Sequence, residues 1–365
     1  MSIGPHGKLT TEEARKLAVL ALADAIKGAD PAEERATRRA AMTVNDLCDA
    51  YLEAAEKGLI MGKGGRPKKP STLYSDRGRI ERHIRPLLGR KKVKDLVAAD
   101  VSRFIREVAS GKTAVVEKTE RKRGKAVVEG GAGTAARTAG LLGGILSFAV
   151  LEGVIGSNPA QGVPRPADQR RQRRLTATEY RQLGAAIAMA EEEGETPQAV
   201  DAVWLLALSG CRSGEIERLR WSEVDDAGGC LRLEDSKEGA SVRPAGRALL
   251  DRLRGIERKK GCPFVLPAAR GAGSYGGLSG AWGRIVINGA GLAGVTPHTL
   301  RHSFASVAGD LGYSESTIAA LLGHAAGSVT GRYVHHLDAV LVAAADRVAG
   351  EVLRQMTDDP AKSAD

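Results

Sequence analysis

Residues 297–336 read PHTLRHSFASVAGDLGYSESTIAALLGHAAGSVTGRYVHH, and this stretch decides how the rest of the chain is read. It holds five of the seven histidines (His298, His302, His324, His335 and His336) together with Arg301, Arg332 and Tyr333. A metal site is one reading, since His298 and His302 stand at i, i+4. The zinc-protease pattern needs a glutamate inside such a pair, whereas the interior here is Thr299-Leu300-Arg301. An arginine beside a dication is electrostatically unfavourable, so no metal is expected. An anion site suits these residues better. A phosphoryl group gains charge on its non-bridging oxygens in the transition state, and guanidiniums donate paired hydrogen bonds to such oxygens. Histidine or lysine can protonate a leaving oxygen. A tyrosine phenol can be the nucleophile where a base or a cationic field offsets its pKa of about 10.

The composition points the same way. At 365 residues the chain has room for two or three domains, and a hydrophobic content of 42% makes it globular. A net charge of +10 favours a polyanionic partner, nucleic acid ahead of an anionic membrane surface. Aromatics make up only 4%, which argues against base stacking on aromatic platforms. No apolar run approaches the roughly 20 residues needed to cross a bilayer. The opening MSIGPHGKLTTEEARK has no apolar core of a secretory signal. Cys48, Cys211, Cys230 and Cys262 are scattered without a CxxC pair, so neither disulfides nor a thiolate zinc site is expected. Nothing resembles GxxxxGK[ST], so no nucleoside triphosphate is expected to drive the chemistry. A soluble, cytoplasmic protein of a reducing compartment is the expectation.

Upstream, helical signals dominate. Residues 10–27 read as a helix with acids in its first turn, stopped by GADP. Thr43 with Asp46 makes a capping box, and Val44, Leu47, Cys48, Tyr51 and Leu52 follow the helical period. A second helix is expected from Ser71, with Leu73, Ile80 and Ile84 on one face, and a third behind Asp100. KTERKRGK between AVVE and AVVE suggests a small hairpin within 112–130. A fourth helix runs from about Thr134 and stops before Asn158-Pro159. GVPRPADQRRQRRL reads as an exposed basic linker. Beyond it Thr176 and Glu179 form another capping box, and CLRLED (230–235) and SVRP (241–244) read as two short strands around a turn. Residues after Met356 are polar and expected to be disordered.

SGCRSGEI (209–216), SK (236–237), PHTLRHSFAS (297–306) and LLGHAAGSVTGRYVHH (321–336) stand in this order. His324 lies nine residues before Tyr333 and Thr330 three before it. Together they resemble the signature segments of the phage-integrase family of tyrosine site-specific recombinases, SK matching its catalytic-lysine hairpin. The resemblance implies that Arg212 and Arg301 clamp the scissile phosphate and that Lys237 is the general acid to the departing 5′ oxygen. It makes His298 and His324 the histidines that bond the phosphate and help move protons, and Tyr333 the nucleophile that forms a 3′-phosphotyrosyl link. Glu215 and His302 match positions that support the site. The implied fold is mainly α with small β-sheets, in the family's multidomain architecture. Residues 41–164 resemble its helical core-binding domain, 165–175 a basic linker and 176–356 its catalytic domain, with 357–365 a tail. Residues 1–40 resemble only the later, helical part of the arm-type DNA-binding region, since the strands that precede it in the family are missing. Arg243-Pro244-Ala245 departs from the family's apolar residue followed by Pro-Leu, and a local packing change is expected there.

The partners so implied are double-stranded DNA core sites and a homotetramer on paired sites, with DNA-bending or directionality factors, no cofactor and no membrane. The role implied is integration or excision of a bacterial mobile element. Arg77, Arg79, Arg82, Lys91 and Lys92, with Arg170, Arg171, Arg173 and Arg174 of the linker, are the expected backbone contacts outside the site. Taken singly, Arg212 reads as an ordinary helix-surface arginine, Tyr333 as a half-buried core tyrosine and the linker arginines as a solvated run. A reading of another class comes from AVVEGGAGTAAR (126–137), which contains GxGxxA before a helix, with Glu152 downstream, as an NAD-dependent dehydrogenase requires. Against it, FAVLEGVI continues the preceding helical period and no alternating strand-helix units follow. A DNA-binding regulator without catalysis would lack Tyr333 or an arginine, and neither is missing.

Overall fold

Thr10 opens the first helix, α1 (Thr11–Ile26), where its backbone N–H donates to Glu13 Oε2 at 2.9 Å. The computed structural model describes residues 10–26, 41–62, 65–118, 124–167, 173–236, 239–323 and 339–358. The chain divides into two compact units, Met1–Arg170 and Arg171–Asp365, each with its own hydrophobic core. Among the described residues the fold is mainly α with two small antiparallel sheets.

In the first unit, α2 (Val44–Glu56) starts at Thr43, whose N–H donates to Asp46 Oδ2 at 2.8 Å while its hydroxyl accepts from the Asp46 N–H at 3.2 Å. Val44, Leu47, Cys48, Tyr51 and Leu52 are buried, as the period requires. The next helix, α3 (Pro70–Arg79), runs through a π-helical turn, Ile80–Ile84, into α4 (Arg85–Leu88). Pro86 cannot donate to the carbonyl four residues back, and the wider turn just ahead of it accommodates the ring. α5 (Ala98–Ala109) begins ahead of Asp100, not behind it: the carboxylate accepts the Val97 N–H at 3.2 Å from inside the first turn. β1 (Val115–Lys118) and β2 (Lys125–Val128) pair antiparallel, Val115 opposite Val128. The hairpin expected from the two AVVE stretches is thus present. It is no part of a parallel βαβ unit, which removes the dinucleotide-binding reading of GAGTAAR.

α6 (Ala132–Leu151) ends earlier than the sequence suggested, with Gly153 (φ +71°) supplying the left-handed turn that stops it. It also corrects the expectation about apolar runs. Its 20 residues reach bilayer length with a mean hydropathy of 1.4. Leu142, Ile145 and Leu146 lie at the centre of the first unit's core, so here the apolar length serves packing among helices.

In the second unit, α7 (Ala177–Glu192) is capped by Thr176 and Glu179, as read from the sequence. α8 (Pro197–Ser209) is buried nearly all round, the mark of a central helix. α9 (Ser213–Glu217) leads to a sheet in which β3 (Val224–Asp225), β4 (Cys230–Ser236) and β5 (Gly239–Pro244) lie side by side. The sequence signalled the second and third of these strands but not the first. α10 (Arg247–Gly255) and α11 (Leu278–Trp282) follow, the latter continued by a π-helical turn, Gly283–Gly289. Then come α12 (Pro297–Asp310), α13 (Glu315–Leu322) and α14 (Ala339–Thr357), which packs on α7 and α8 through Ala344, Ala345, Val348 and Val352. Residues 359–365 of the expected tail lie outside the described residues, as do 1–9 and 27–40 of the arm-like region.

Candidate active site

Gly210 ends α8 in the left-handed region, φ +60°. A Cβ there would also come 2.8 Å from the Phe304 ring of α12, so both backbone angle and close packing call for glycine. The turn it makes delivers Arg212 to the start of α9. Glu215 Oε2 accepts the Arg212 N–H at 2.8 Å, and Oε1 accepts Arg212 Nη1 at 2.8 Å. The carboxylate therefore caps the helix and braces the guanidinium at once.

Arg301 reaches the same place from α12. Its side chain is buried; Nη1 donates to the Gly210 carbonyl at 2.8 Å and Nη2 to the Leu322 carbonyl at 2.9 Å. One guanidinium thus ties together the ends of α8 and α13, the two stretches that carry SGCRSGEI and LLGH. Burial and then the Arg212 charge bring its pKa down to about 10, so it remains cationic at neutral pH. His298, on the first turn of α12, is exposed and meets the His302 ring edge-on, centroids 4.5 Å apart. α12 is set in register by Thr296, whose hydroxyl accepts the Thr299 N–H at 3.3 Å, and by Pro297 behind it.

Arg243 joins this cluster. It lies on β5 opposite Leu231, with its side chain 1% exposed, and Nη2 donates to Glu215 Oε1 at 3.0 Å. Burial pushes the Glu215 carboxyl up, but the Arg212 N–H, the charge of Arg243 and the Arg212 side chain outweigh it, and the group titrates below the usual carboxylate range. Sequence reasoning expected only a packing change at this position. Residue polarity alone would turn Val242 inward and Arg243 outward, whereas Val242 is 41% exposed and Arg243 buried, so no local signal marked the arginine. Arg212, Glu215, Arg243 and Arg301 are brought together from three separated stretches. Lys237, His324 and Tyr333 lie outside the described residues.

The basic residues expected to hold DNA mostly have acidic neighbours. Arg77 pairs with Glu56, Arg79 with Asp76 at 3.4 Å and Arg82 with Glu117 at 3.8 Å. Lys91 meets Asp100 at 2.5 Å, while Lys92 donates to the Ala41 carbonyl at 2.5 Å. Arg173 pairs with Glu179, and Arg174 with Asp310 at 2.8 Å. Arg170 and Arg171 lie outside the described residues. Where both partners are exposed, as for Arg77 with Glu56 and Arg174 with Asp310, a pair is worth about 1 kcal/mol or less and a phosphate could replace the carboxylate at little cost, whereas Asp76 and Asp100 are buried.

The model of the phage integrase family matches residues 173–339, the stretch holding all four signature segments. The prophage integrase IntZ of Escherichia coli is 24% identical over 270 residues, covering 73% of this chain and 61% of that protein. The tyrosine recombinase XerC of Xylella fastidiosa is 32% identical over 206 residues, 53% of this chain and 66% of the relative. The chain therefore spans less than two-thirds of the length of either. A solved lambda integrase tetramer bound to a Holliday junction shares the fold, with a TM-score of 0.61 at 22% identity over 86% of this chain and 88% of that one.

Proposed function

Because residues 173–339 match the model of the phage integrase family, we propose that the chain is a site-specific DNA recombinase that breaks and rejoins DNA through Tyr333. The observation that carries the reading is the convergence of Arg212 and Arg301, from separate signature segments, on one carboxylate and one helix-end turn. Arg301 holds the Leu322 carbonyl two residues ahead of His324, so the clamp and the nucleophile's segment share an anchor.

In the reaction, the Tyr333 phenolate attacks the scissile phosphorus. The P–O5′ bond breaks, and the 5′ oxygen leaves with a proton from Lys237, while a 3′-phosphotyrosyl bond forms. Arg212 and Arg301, with His298 and His324, take up the charge that grows on the non-bridging oxygens. The new phosphodiester retains the energy of the old one, so attack by another strand's 5′ hydroxyl rejoins the backbone without a nucleoside triphosphate. The partners are core-site duplex DNA and three further copies of this chain on paired sites, with DNA-bending or directionality factors where the reaction has a direction. The setting is the bacterial cytoplasm, and the role is integration or excision of a mobile element. Residues 1–40 would belong to an arm region, 41–164 to the core-binding part, 165–175 to the linker and 176–356 to the part that does the chemistry.

The test begins with DNA flanking the gene, sequenced for short direct repeats that give the core site. A labelled core duplex, nicked beside the expected cut so that the freed fragment diffuses away, should trap a covalent complex that survives a denaturing gel. No complex on any such repeat would contradict the reading.

Two further results are expected. Lys237→Ala should cleave the normal duplex slowly yet recover on a duplex with sulfur in the 5′-bridging position, because a thiolate leaves without a proton. Equal defects on both substrates would make Lys237 structural, or a histidine the acid. Replacing Arg170, Arg171, Arg173 and Arg174 with glutamine should weaken specific and random DNA alike. It should also flatten the plot of log affinity against log salt by up to about 0.9 for each phosphate that is no longer neutralised. An unchanged slope would mean that these arginines only pair with Glu179, Asp310 and water, and a loss confined to the core site would mean that they read sequence.

A further inference from the structure

Arg243 is the most deeply buried charge near the clamp, and stability alone does not account for it. An apolar side chain on the core phase of β5 would pack against Leu231 without desolvating a cation. Instead the guanidinium has Glu215, and its Nε and Nη1 have no hydrogen-bond partner among the described residues. Glu215 Oε1 accepts Arg243 Nη2 at 3.0 Å and Arg212 Nη1 at 2.8 Å, so the two arginines lean on the same oxygen. With Arg301 close enough to feel both of their charges, three guanidiniums face a single carboxylate.

Two effects follow from this placement. Arg243 fixes the oxygen that braces Arg212, and it draws off part of the negative charge that would otherwise neutralise Arg212. It also touches the other anchor of the clamp. Gly323, at φ +59°, is the turn that ends α13, and a Cβ there would overlap the Arg243 guanidinium. That turn follows directly on Leu322, whose carbonyl Arg301 holds. Arg243 therefore lies against both the brace of Arg212 and the holding point of Arg301.

Resting on the reading that Arg212 and Arg301 clamp a scissile phosphate, we propose that Arg243 is a positioning residue that sets the clamp through Glu215 and the Leu322–Gly323 turn. It does not itself touch the phosphate. The positive potential at the clamp then interacts most strongly with the phosphoryl oxygens when charge accumulates on them, so Arg243 contributes to the chemical step more than to DNA binding.

The test uses the full chain and the core duplex. R243M keeps an unbranched side chain without charge, R243Q keeps polarity without charge, and R243K keeps charge without the fork. Affinity for the duplex and the single-turnover rate of covalent-complex formation are read for each. R243M and R243Q should lower the rate by about 10–100-fold, the size of effect seen where the residues that orient metal ligands are removed. Their affinity should stay within about threefold of wild type, a loss confined to the transition state. R243K should recover most of the rate. In an E215Q background R243M should cost clearly less than in the wild type, because one of its two routes to the clamp is already weakened. A folded R243M with the wild-type rate overturns the proposal, as does an equal fall in affinity and rate or a fully additive double variant. Failure of both neutral variants to fold, read by circular dichroism, overturns it as well, since the residue is then structural. The wild-type lane separates the two claims: its lack of a covalent band would defeat the recombinase reading, whereas a normal band in R243M defeats only the role of Arg243.

Discussion

Tyr333→Phe is expected to bind the core duplex almost as the wild type does and to form no covalent complex at all. The substitution removes one oxygen and leaves the ring, so whatever the ring packs against is undisturbed. DNA affinity should survive, because phosphate contacts by the basic residues and the clamp arginines supply it. Chemistry should not survive, because on the proposed mechanism the missing oxygen is the atom that bonds to phosphorus. Tyr333 is singled out by its place three residues after Thr330 and nine after His324. Labelled nicked duplex on a denaturing gel gives the answer, and a covalent band from the phenylalanine variant would sink the assignment.

Arg301→Ala should slow cleavage by on the order of a hundredfold or more, a few kcal/mol of lost transition-state stabilisation. Arg212→Ala should do the same, yet the two should differ in stability. Arg301 is buried and satisfies the Gly210 and Leu322 carbonyls, so alanine leaves two helix-end acceptors unpaired at about 1–3 kcal/mol each. Arg212 is partly exposed, and its loss leaves Glu215 still paired with Arg243. Thermal melting should therefore fall clearly for Arg301→Ala and little for Arg212→Ala. Lysine should rescue neither, because one ammonium lacks the planar fork that would let a guanidinium hold its protein acceptors and a phosphate together. Near-wild-type cleavage by either lysine variant would contradict the clamp.

Much of this was legible in the sequence where the signal is local. Thr43 with Asp46 and Thr176 with Glu179 marked helix starts that the structure keeps, because a capping box is closed within four residues. Arg212 and Arg301 could be named together from the order of the segments around them. What escaped was set by contacts between distant residues. Arg243 and Glu215 lie 28 positions apart, and only the pairing of β4 with β5 shows that Arg243 faces inward. β3 is two residues long, too short to leave an alternating pattern. The acidic partners of Arg174 and Arg77 come from other helices, so a reading of charge runs could not tell a free cation from a paired one. The bilayer-length helix α6 was overlooked because its glycines and threonines interrupt the apolar run without lowering the window average enough.

The central claim is that Tyr333 carries the DNA during the reaction, and the most direct measurement is chemical. The covalent complex trapped on nicked core duplex is digested with nuclease and protease, and the nucleotide-bearing peptide is located by mass spectrometry. The account predicts a 3′-linked nucleotide on Tyr333, in the peptide that contains GRYVHH. A nucleotide on any other residue, or attachment through a 5′ phosphate, would contradict it.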